Sequence, residues 1–393
     1  MTIQQLPPAE KTSVRLGFMQ LTDSVPLIAA KELGFFAEQG LEVELVREIS
    51  WANIRDRLVL GDLDAAQLLS PLPMMTAYGV GGIRANILTG LVLSLNGNAI
   101  TVSSKLWGEL GQEKRKQPDE PVILSKKLAS LILRKNKKPA LTFATVHLFS
   151  MHTILLRMWL QAGGVDPDRD VKIIVLPPAQ MCDSLARGII DGFCVGEPWN
   201  TLAVNQGSGS VVSSGYQIWN NVPEKVLGVT ESWHRHHPGT HLRLRIALMK
   251  ACEHLMQLEH REQAVKFLGK TEYLNMPEHL LSPALLGKFK YSKNMQAVPF
   301  DDFHVFWRFE ACFPWRSMAE KMVQLSNFAL ANPISDSDIT SLVQACYRPD
   351  LYRDAAGYFG IATSSRDNKP EGVHTEAWLF EPGVTLGPDK MLS

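Results

Sequence analysis

The sequence has few cysteines, and they follow no pattern that would organise a site. Its 393 residues include five, which are widely spaced and form no CxxC pair: Cys182, Cys194, Cys252, Cys312 and Cys346. Disulfide frameworks and structural zinc sites need paired or closely spaced cysteines, so we expect neither. Because free cysteine packs as a small hydrophobe, we expect these five to be inert, reduced thiols in the core.

The sequence also lacks an excess of charge of either sign. Forty basic and forty acidic residues give a formal net charge of zero, so a broad surface for nucleic acid or for an anionic membrane is not expected. No stretch approaches the roughly 20 apolar residues that span a bilayer. The segment Met1–Pro8 has neither the basic start nor the apolar run of a secretory signal. These absences predict a cytoplasmic protein that contacts neither membrane nor nucleic acid directly.

No arrangement of residues identifies an enzyme. An activated nucleophile, a phosphate-binding glycine loop and a cluster of metal ligands are all missing. The pair His236–His237 lies in a polar stretch with no further ligand at the spacing that zinc requires. We therefore predict no catalytic residue, no metal and no cofactor, and we expect a binding protein.

The sequence does contain two series of strands that alternate with helices. The first has strands at 14–19, 41–46 and 64–68, and the second has strands at 140–143, 171–175 and 192–195. Helices begin between them near Ser24, Ser50 and Ser150, where the serines suit N-caps. Alternation at this spacing predicts mostly parallel sheets covered by helices. The predicted fold class is therefore α/β, with two lobes.

The order of the segments predicts that one lobe is inserted in the other. A strand at 98–102 leaves the first lobe, one at 226–229 returns to it, and from His241 onward the chain is nearly all helix. We expect lobe 1 to contain 13–102 and 224–365, lobe 2 to contain 103–223, and 366–393 to be an extended tail with few core residues. Two crossing segments would form a hinge. The basic segment 105–138 is either a solvated face or a surface that docks a partner.

Four residues are predicted at the edges of the cleft between these lobes. Ligands in open α/β sheets bind beyond the carboxyl ends of strands, where helix N-termini favour anions. Trp51 and His152 fall in first helical turns there, and Asn98 and Lys225 stand where the chain crosses between lobes. One cation, two neutral donors and a histidine suit a small oxyanion. Each residue also has an ordinary interpretation: a core aromatic, a satisfied core histidine, a turn asparagine and a solvated lysine.

Three further residues are assigned to the surroundings of the site or to the hinge. Gln67 lies on the third predicted strand, and Gly196 and Glu197 open the segment Gly-Glu-Pro-Trp. Glu197 has three possible roles: a ligand contact, a hinge latch or a counter-charge for Lys225. We rank a hinge or inter-lobe contact first.

Several segments, in this order and spacing, resemble the nitrate- and bicarbonate-binding proteins of ABC importers (NrtA- and CmpA-like). They are LGFMQLTDSVPLIAAKELGFFAEQGLEVEL, EISWANIRDRLVLGDLDAAQLL, LNGNAIT, MWLQAGGVDPDRDV, LPPAQ, GEPW and the later Tyr347-Arg348-Pro349-Asp350. The resemblance covers residues 14–360. It implies a type II periplasmic-binding-protein-like fold with a two-segment hinge. It also implies a pocket formed by Trp51, Asn98, His152, the backbone of Pro178, and Lys225.

The resemblance further implies which ligand and partner to expect. In the bicarbonate-binding branch an acidic residue and calcium replace the charge of the lysine, so Lys225 favours nitrate or nitrite. With its expected cytoplasmic location, the chain is most similar to the nitrate sensors of the NasS group. Such a sensor, when ligand-free, sequesters a NasT-like ANTAR antiterminator that binds RNA, and it releases this partner on binding nitrate or nitrite.

Two other functions fit the same resemblance less fully. One is the substrate-binding component of a nitrate or bicarbonate ABC importer. The other is an enzyme of this fold that builds a thiamine pyrimidine and would need pyridoxal phosphate and a cysteine-rich iron motif, which the five dispersed cysteines disfavour.

Overall fold

The computed structural model describes residues 6–134 and 140–392. Its strands are β1 Ser13–Met19, β2 Glu42–Glu48, β3 Ala65–Leu69, β4 Ile87–Leu88, β5 Val92–Asn96, β6 Asn98–Ser103, β7 Leu141–Thr145, β8 Val171–Val175, β9 Gly192–Gly196, β10 Gly209–Ser214, β11 Pro223–Thr230, β12 Lys288–Phe289, β13 Val298–Pro299, β14 His304–Val305, β15 Trp378–Glu381 and β16 Val384–Leu386.

The helices lie between these strands and after them. They are α1 Val25–Glu32, α2 Phe35–Glu38, α3 Trp51–Leu60, α4 Leu72–Tyr78, α5 Ser104–Glu109, α6 Pro121–Arg134, α7 Met151–Ala162, α8 Met181–Ala186, α9 Trp199–Gln206, α10 Gly215–Ile218, α11 Glu231–His236, α12 Pro238–His254, α13 Leu258–Leu268, α14 Glu278–Leu285, α15 Arg316–Ser326, α16 Asp336–Cys346 and α17 Pro349–Phe359.

Helices α3 and α7 begin where their predicted caps place them. The side chain of Ser50 accepts a hydrogen bond from the backbone N–H of Asn53, and Gly61 ends α3 in the left-handed conformation. The side chain of Ser150 accepts in the same way from the N–H of Thr153. Side-chain caps satisfy the first free N–H groups of a helix. Both helices follow strands, so their first turns lie at the carboxyl edges of the sheets.

Twelve of these strands form two mixed sheets, one in each lobe, and the other four form the two-stranded sheets β12-β13 and β15-β16. The first sheet has the order β14-β5-β11-β3-β1-β2, with β4 also pairing with β11, and the second has the order β10-β6-β9-β7-β8. Three adjacent strands in each sheet are parallel, as predicted. Strands β11 and β6, however, run antiparallel to β3 and β9. Each of these two strands begins at the cleft edge of its sheet, beside the residue where the neighbouring parallel strand ends. It therefore runs in the opposite direction.

The first crossing between the lobes lies at Asn96–Asn98, not after Val102. β5 ends at Asn96 in the first sheet, and β6 already pairs with β9 and β10 in the second. The predicted boundary at residue 102 is thus one strand too late, because the residues of a strand do not reveal which sheet it joins. The second crossing leads from β10 to β11. The N–H of Asn96 donates to the carbonyl oxygen of Val222 at 2.9 Å, so the two crossings lie side by side.

The C-terminal region packs on both lobes, whereas the prediction placed all of 224–365 in lobe 1. Helix α12 packs against α1 and α2 of lobe 1. Further along, the N–H of Val211 in lobe 2 donates to the carbonyl oxygen of Tyr291 at 2.7 Å. The guanidinium of Arg157, also in lobe 2, lies 3.8 Å from the ring centroid of Phe328. A helical pattern predicts the helices but not the lobe on which they pack.

The last segment is a packed hairpin rather than an extended tail. Strands β15 and β16 pair around Gly383, which has a φ of 83°, and Val384 and Leu386 are buried. Beyond the hairpin, the N–H of Asn220 donates to Lys390 O and the N–H of Leu392 donates to Ile218 O. The segment therefore lies along the second crossing. Residue 393 is outside the described residues.

The basic segment is anchored by an acidic residue. Asp119 forms ion pairs with Lys127 at 2.6 Å and Arg115 at 2.9 Å. Within this segment, helix α6 spans 121–134 and buries Leu124 and Leu128. Residues 135–138 of the predicted segment lie outside the described residues. Whether this face is solvated or docks a partner stays a prediction.

The lobes are closed on each other. One continuous cluster of buried apolar residues includes Trp51 and Leu69 from lobe 1 and Phe143 and Trp159 from lobe 2.

Within the described ranges, no helix is long and apolar enough to cross a membrane.

Candidate functional site

A bulge at the start of β11 directs two charged side chains into the interior. Lys225 pairs with Leu69 at the carboxyl end of β3, and the register against β5 shifts between Pro223 and Lys225. A bulge of this kind re-aims side chains that would otherwise alternate across the sheet. Glu224 and Lys225 are both fully buried, and Glu224 Oε1 lies 2.7 Å from Lys225 Nζ.

The other predicted polar residues meet this pair from both sides of the cleft. The Lys225 ammonium lies 5.3 Å from the ring centroid of Trp51, the first residue of α3. From lobe 2, Asn98 Nδ2 donates to Glu224 Oε2 at 2.6 Å, and His152 Nε2 lies 3.4 Å from Glu224 Oε1. The structure thus brings Trp51, Asn98, His152 and Lys225 together around Glu224. We call these five residues the cleft cluster.

Pro178 belongs to the same lobe as Asn98 and His152. It opens a 3-10 turn, Pro178–Gln180, that follows β8, and it is buried. Its predicted backbone contact with a ligand stays a prediction.

Several polar atoms of the cleft cluster have no hydrogen-bond partner although they are buried. These atoms are Trp51 Nε1, Asn98 Oδ1, His152 Nδ1 and His152 Nε2. Buried polar groups in folded proteins are nearly always hydrogen-bonded, so each exception calls for an explanation. A small ligand with acceptor atoms between the lobes would supply partners for the indole N–H of Trp51 and the single N–H of neutral His152.

Sequence reasoning missed the two carboxylates that face Lys225. Asp23 Oδ2 lies 2.9 Å from Lys225 Nζ, and Glu224 is its immediate neighbour. Asp23 is held by Gln67, whose Nε2 donates to Asp23 Oδ1 at 2.9 Å while its Oε1 accepts from the N–H of Met19. Gln67 therefore acts as a support for the site. The only signal for Glu224 was its position beside Lys225, and strand alternation would place the two on opposite faces.

Glu197 makes a contact between the lobes. Its carbonyl oxygen accepts a hydrogen bond from the N–H of Thr22 at 2.8 Å, and its carboxylate accepts from the N–H of Thr201. This is the type of role ranked first for the residue. The counter-charge of Lys225 comes from Asp23 and Glu224 instead. At neighbouring Gly196, an added Cβ would lie 3.5 Å from Asp23 Oδ2, so the two lobes are in contact here.

Burial sets the protonation of the cleft cluster. It raises the pKa of Glu224 to about 7, although Lys225 and the bond from Asn98 act in the opposite direction. It lowers the pKa of His152 well below the usual value, and the charge of Lys225 adds to this effect. Burial also opposes the charge of Lys225, but Asp23 and Glu224 more than offset it and the lysine pKa is raised. The site therefore contains an ammonium and a neutral imidazole.

Metal or thiol chemistry has no support in the described part of the chain. Within it, no group of three or more His, Cys, Asp or Glu side chains is placed to hold a metal ion. His236, singled out above, is exposed and its Nδ1 lies 2.7 Å from the carbonyl oxygen of Ser232. The five cysteines are all buried, and burial raises the pKa of Cys182 and Cys346 to about 12. Such thiols are poor nucleophiles.

A buried ammonium beside unpartnered polar atoms, with side chains from both lobes, has the chemistry that suits a small anion. Residues 7–269 match the NMT1-like family. The chain belongs to the NMT1-like family.

Curated relatives match almost the whole chain. The nitrate import ATP-binding protein NrtC of Synechocystis is 37% identical over 388 residues, which are 98% of this chain but 54% of NrtC. The chain thus spans about half the length of that relative. The nitrate/nitrite binding protein NrtA of Nostoc is 30% identical over 391 residues, 98% of this chain and 85% of NrtA.

A solved structure confirms the fold. The crystal structure of the periplasmic nitrate-binding protein NrtA from Synechocystis superimposes with a TM-score of 0.85 at 28% identity, and the match covers 97% of each chain. The predicted type II periplasmic-binding-protein fold, with two α/β lobes, is therefore confirmed.

Proposed function

We propose that the protein binds nitrate or nitrite in the cleft between its lobes. The observation that carries the proposal is the pair of buried, unpartnered ring nitrogens on Trp51 and His152, two N–H sources from the two lobes, beside the buried ammonium of Lys225. The names of the relatives NrtA and NrtC support the same ligand class.

The chemistry of the site suits such an anion. Nitrate is planar and monovalent, with three acceptor oxygens and no donor. Trp51 can only donate, and neutral His152 carries one N–H. Hydrogen bonds that involve an ion are roughly twice as strong as neutral ones and gain further strength away from water. A closed cleft can therefore hold a ligand that offers little apolar surface.

Calorimetry on the purified protein tests this proposal. Nitrate, nitrite, bicarbonate and sulfate are titrated separately, and we expect binding of nitrate or nitrite and none of sulfate. The variant His152→Phe keeps a ring and removes both nitrogens, so it should bind more weakly. His236→Phe is the matched control on an exposed histidine and should bind like the wild type. Absence of binding by the wild type to both nitrate and nitrite at millimolar concentration would refute the proposal.

The relatives support a role in an ABC importer, as its substrate-binding component, more strongly than a role as a sensor. The finer proposal of a cytoplasmic sensor that holds a NasT-like antiterminator rests on the sequence resemblance alone. Both roles require that ligand binding changes the affinity for a partner. In either case the ligand and the partner must weaken or strengthen each other by the same factor.

Co-purification separates the two roles. The protein is mixed with a NasT-like antiterminator and run on a size-exclusion column with and without millimolar nitrate. A complex that forms without nitrate and dissociates with it supports the sensor. A protein that binds nitrate, ignores the antiterminator and co-purifies with importer subunits supports the importer. Fractionation of cells adds the location, which we propose to be cytoplasmic for a sensor.

A further inference from the structure

Glu224 occupies the centre of the cleft cluster. Its two carboxylate oxygens take bonds from Lys225 in lobe 1 and Asn98 in lobe 2, at 2.7 and 2.6 Å. His152 approaches the same carboxylate to 3.4 Å. An anion that uses these donors must therefore compete with a carboxylate that already holds them.

The charges of the cluster make this competition costly. Lys225 brings one positive charge, and ionised Asp23 and Glu224 bring two negative charges within 2.9 Å of it. All three side chains are buried. An incoming monovalent anion would add a further negative charge away from water, and uncompensated buried charge is strongly unfavourable.

Protonation of Glu224 removes both the competition for the donors and the excess of negative charge. A neutral carboxyl group balances the charges of the empty site, releases the donors of Lys225 and Asn98, and offers an O–H group of its own to an acceptor oxygen. We propose that Glu224 is a specificity-determining residue that admits a monovalent anion only together with a proton from solvent. The proton binds a carboxylate oxygen of Glu224 as the anion enters and returns to solvent as it leaves. This inference rests on the proposed function.

Burial raises the pKa of Glu224 to about 7, and the charge of Asp23 acts in the same direction. His152 on α7 has a pKa well below the usual value, and burial keeps Cys194 on β9 as a thiol by raising its pKa. Lys225 is held as a cation. Trp51 and Asn98 do not titrate in this range.

Glu197, after β9, also has a pKa raised to about 7 by burial, but its carboxylate accepts from the N–H of Thr201. Burial and the charge of Lys225 lower the pKa of His304 to about 3. The carboxyl group that is bonded to Lys225 and Asn98 is that of Glu224.

The test is calorimetry of nitrate binding to the wild type at several pH values. Each titration is performed in HEPES and in Tris, whose ionisation enthalpies differ, so that the difference in heat counts the protons taken up. We expect about one proton per nitrate at pH 8 and almost none at pH 5.5, with an affinity about tenfold weaker at pH 8 than at pH 6.

Two variants of matched charge identify the group. Glu224→Gln keeps the size and an acceptor oxygen, and it should bind nitrate more tightly than the wild type at pH 8, with no proton uptake and a flat pH profile. Asp23→Asn removes the same charge from the same cluster. It should still take up a proton at pH 8, because Glu224 is retained.

The outcomes separate this inference from the function on which it rests. Nitrate binding at pH 8 without proton uptake, or a Glu224→Gln profile like that of the wild type, would overturn the role of Glu224 alone. If wild type and Glu224→Gln both fail to bind nitrate and nitrite at every pH, the proposed function is wrong, and this inference, which depends on it, is wrong too. Should Glu224→Gln not fold, Glu197→Gln decides: proton uptake like that of the wild type supports Glu224, and loss of the uptake overturns its role.

Discussion

The ammonium of Lys225 lies over the face of Trp51, 5.3 Å from the ring centroid, and both side chains are buried. The only donor of the Trp51 side chain, Nε1–H, has no hydrogen-bond partner among the described residues, so we expect a ligand held by the ammonium to contact the indole. Trp51 on α3 and Lys225 on β11 both belong to lobe 1. We therefore expect lobe 1 to present this half of the site before the lobes close.

Replacing Trp51 with phenylalanine should weaken nitrate binding by about 0.5–1.5 kcal/mol, the usual contribution of one neutral hydrogen bond. The substitution keeps an aromatic wall and removes the N–H donor. Trp378→Phe, which removes another unpartnered indole N–H in the C-terminal hairpin, is the control and should not change the affinity. Equal binding by Trp51→Phe and wild type in calorimetry would show that the indole does not contact the ligand.

Lys225→Ala should weaken nitrate binding by about 1.5–3 kcal/mol, because it removes a charged hydrogen bond. It should also lower the free energy of unfolding, since Asp23 and Glu224 lose their buried partner. Lys250→Ala breaks a pair with Glu38 in which both side chains are more than a third exposed, and it should change neither quantity by more than about 0.5 kcal/mol. Identical affinities for Lys225→Ala and wild type would rule out the lysine as the counter-charge.

The lobes should rotate about the two crossings, at Asn96–Asn98 and at the segment before β11, when ligand binds. The site is shared between lobes, so closure completes it and excludes water. Small-angle scattering should show a smaller radius of gyration at saturating nitrate. An unchanged radius of gyration in both states would mean that ligand binding is not coupled to lobe closure.

Gly97→Ala should destabilise the protein more than Gly82→Ala. Both glycines have positive φ, 91° and 82°, so alanine is strained at each. At Gly97 an added Cβ would also lie 2.3 Å from the ring of His304, whereas at Gly82 nothing lies within 4 Å. Urea denaturation gives the free energy of unfolding of each variant, and the difference between them measures the destabilisation caused by contact with the His304 ring. Equal losses of stability would show that the ring of His304 can move away.

Stability should fall as pH decreases from about 6.5 towards 3, and His304 should cause part of this loss. Burial lowers the pKa of His304 to about 3, so the unfolded chain binds a proton in this window that the folded chain does not. The stability is fully present above the unfolded pKa, and each pH unit below it costs about 1.4 kcal/mol for one histidine. His304→Phe should reduce the slope of unfolding free energy against pH, and His236→Phe should leave it unchanged. If the slope of His304→Phe matches the wild type, the ring is protonated in the folded state.

Local signals predicted the elements that carry the site. Ser50 and Ser150 are cap residues whose effect is confined to one helical turn, so α3 and α7 could be placed from sequence, and with them Trp51 and His152. Lys225 could be placed at a crossing between the lobes from the order of the segments, but its contact with a ligand followed only from the family resemblance, because a lysine after a turn proline is usually solvated.

What the sequence could not predict depends on contacts between distant segments. The bulge that turns Glu224 inward arises from the pairing of β11 with β5, and Asp23 reaches Lys225 from the start of α1. The lobe boundary has the same origin. The sequence of β6 is compatible with a strand in either sheet, and its pairing with β9 assigns it to lobe 2.

The packing of the C-terminal hairpin makes the two crossings unequal. The segment that leads to the hairpin is tied to helix α15 through the ion pair between Arg316 and Asp367 at 2.7 Å. Beyond the hairpin, the chain is tied to the second crossing through Asn220 and through Asn221, whose Nδ2 donates to Pro388 O. Bending there must break or stretch these bonds, whereas Gly97 at the first crossing has a backbone that tolerates rotation. We therefore expect the second crossing to resist bending more than the first. A change in the packing of the hairpin would shift the balance of open and closed lobes without touching the ligand.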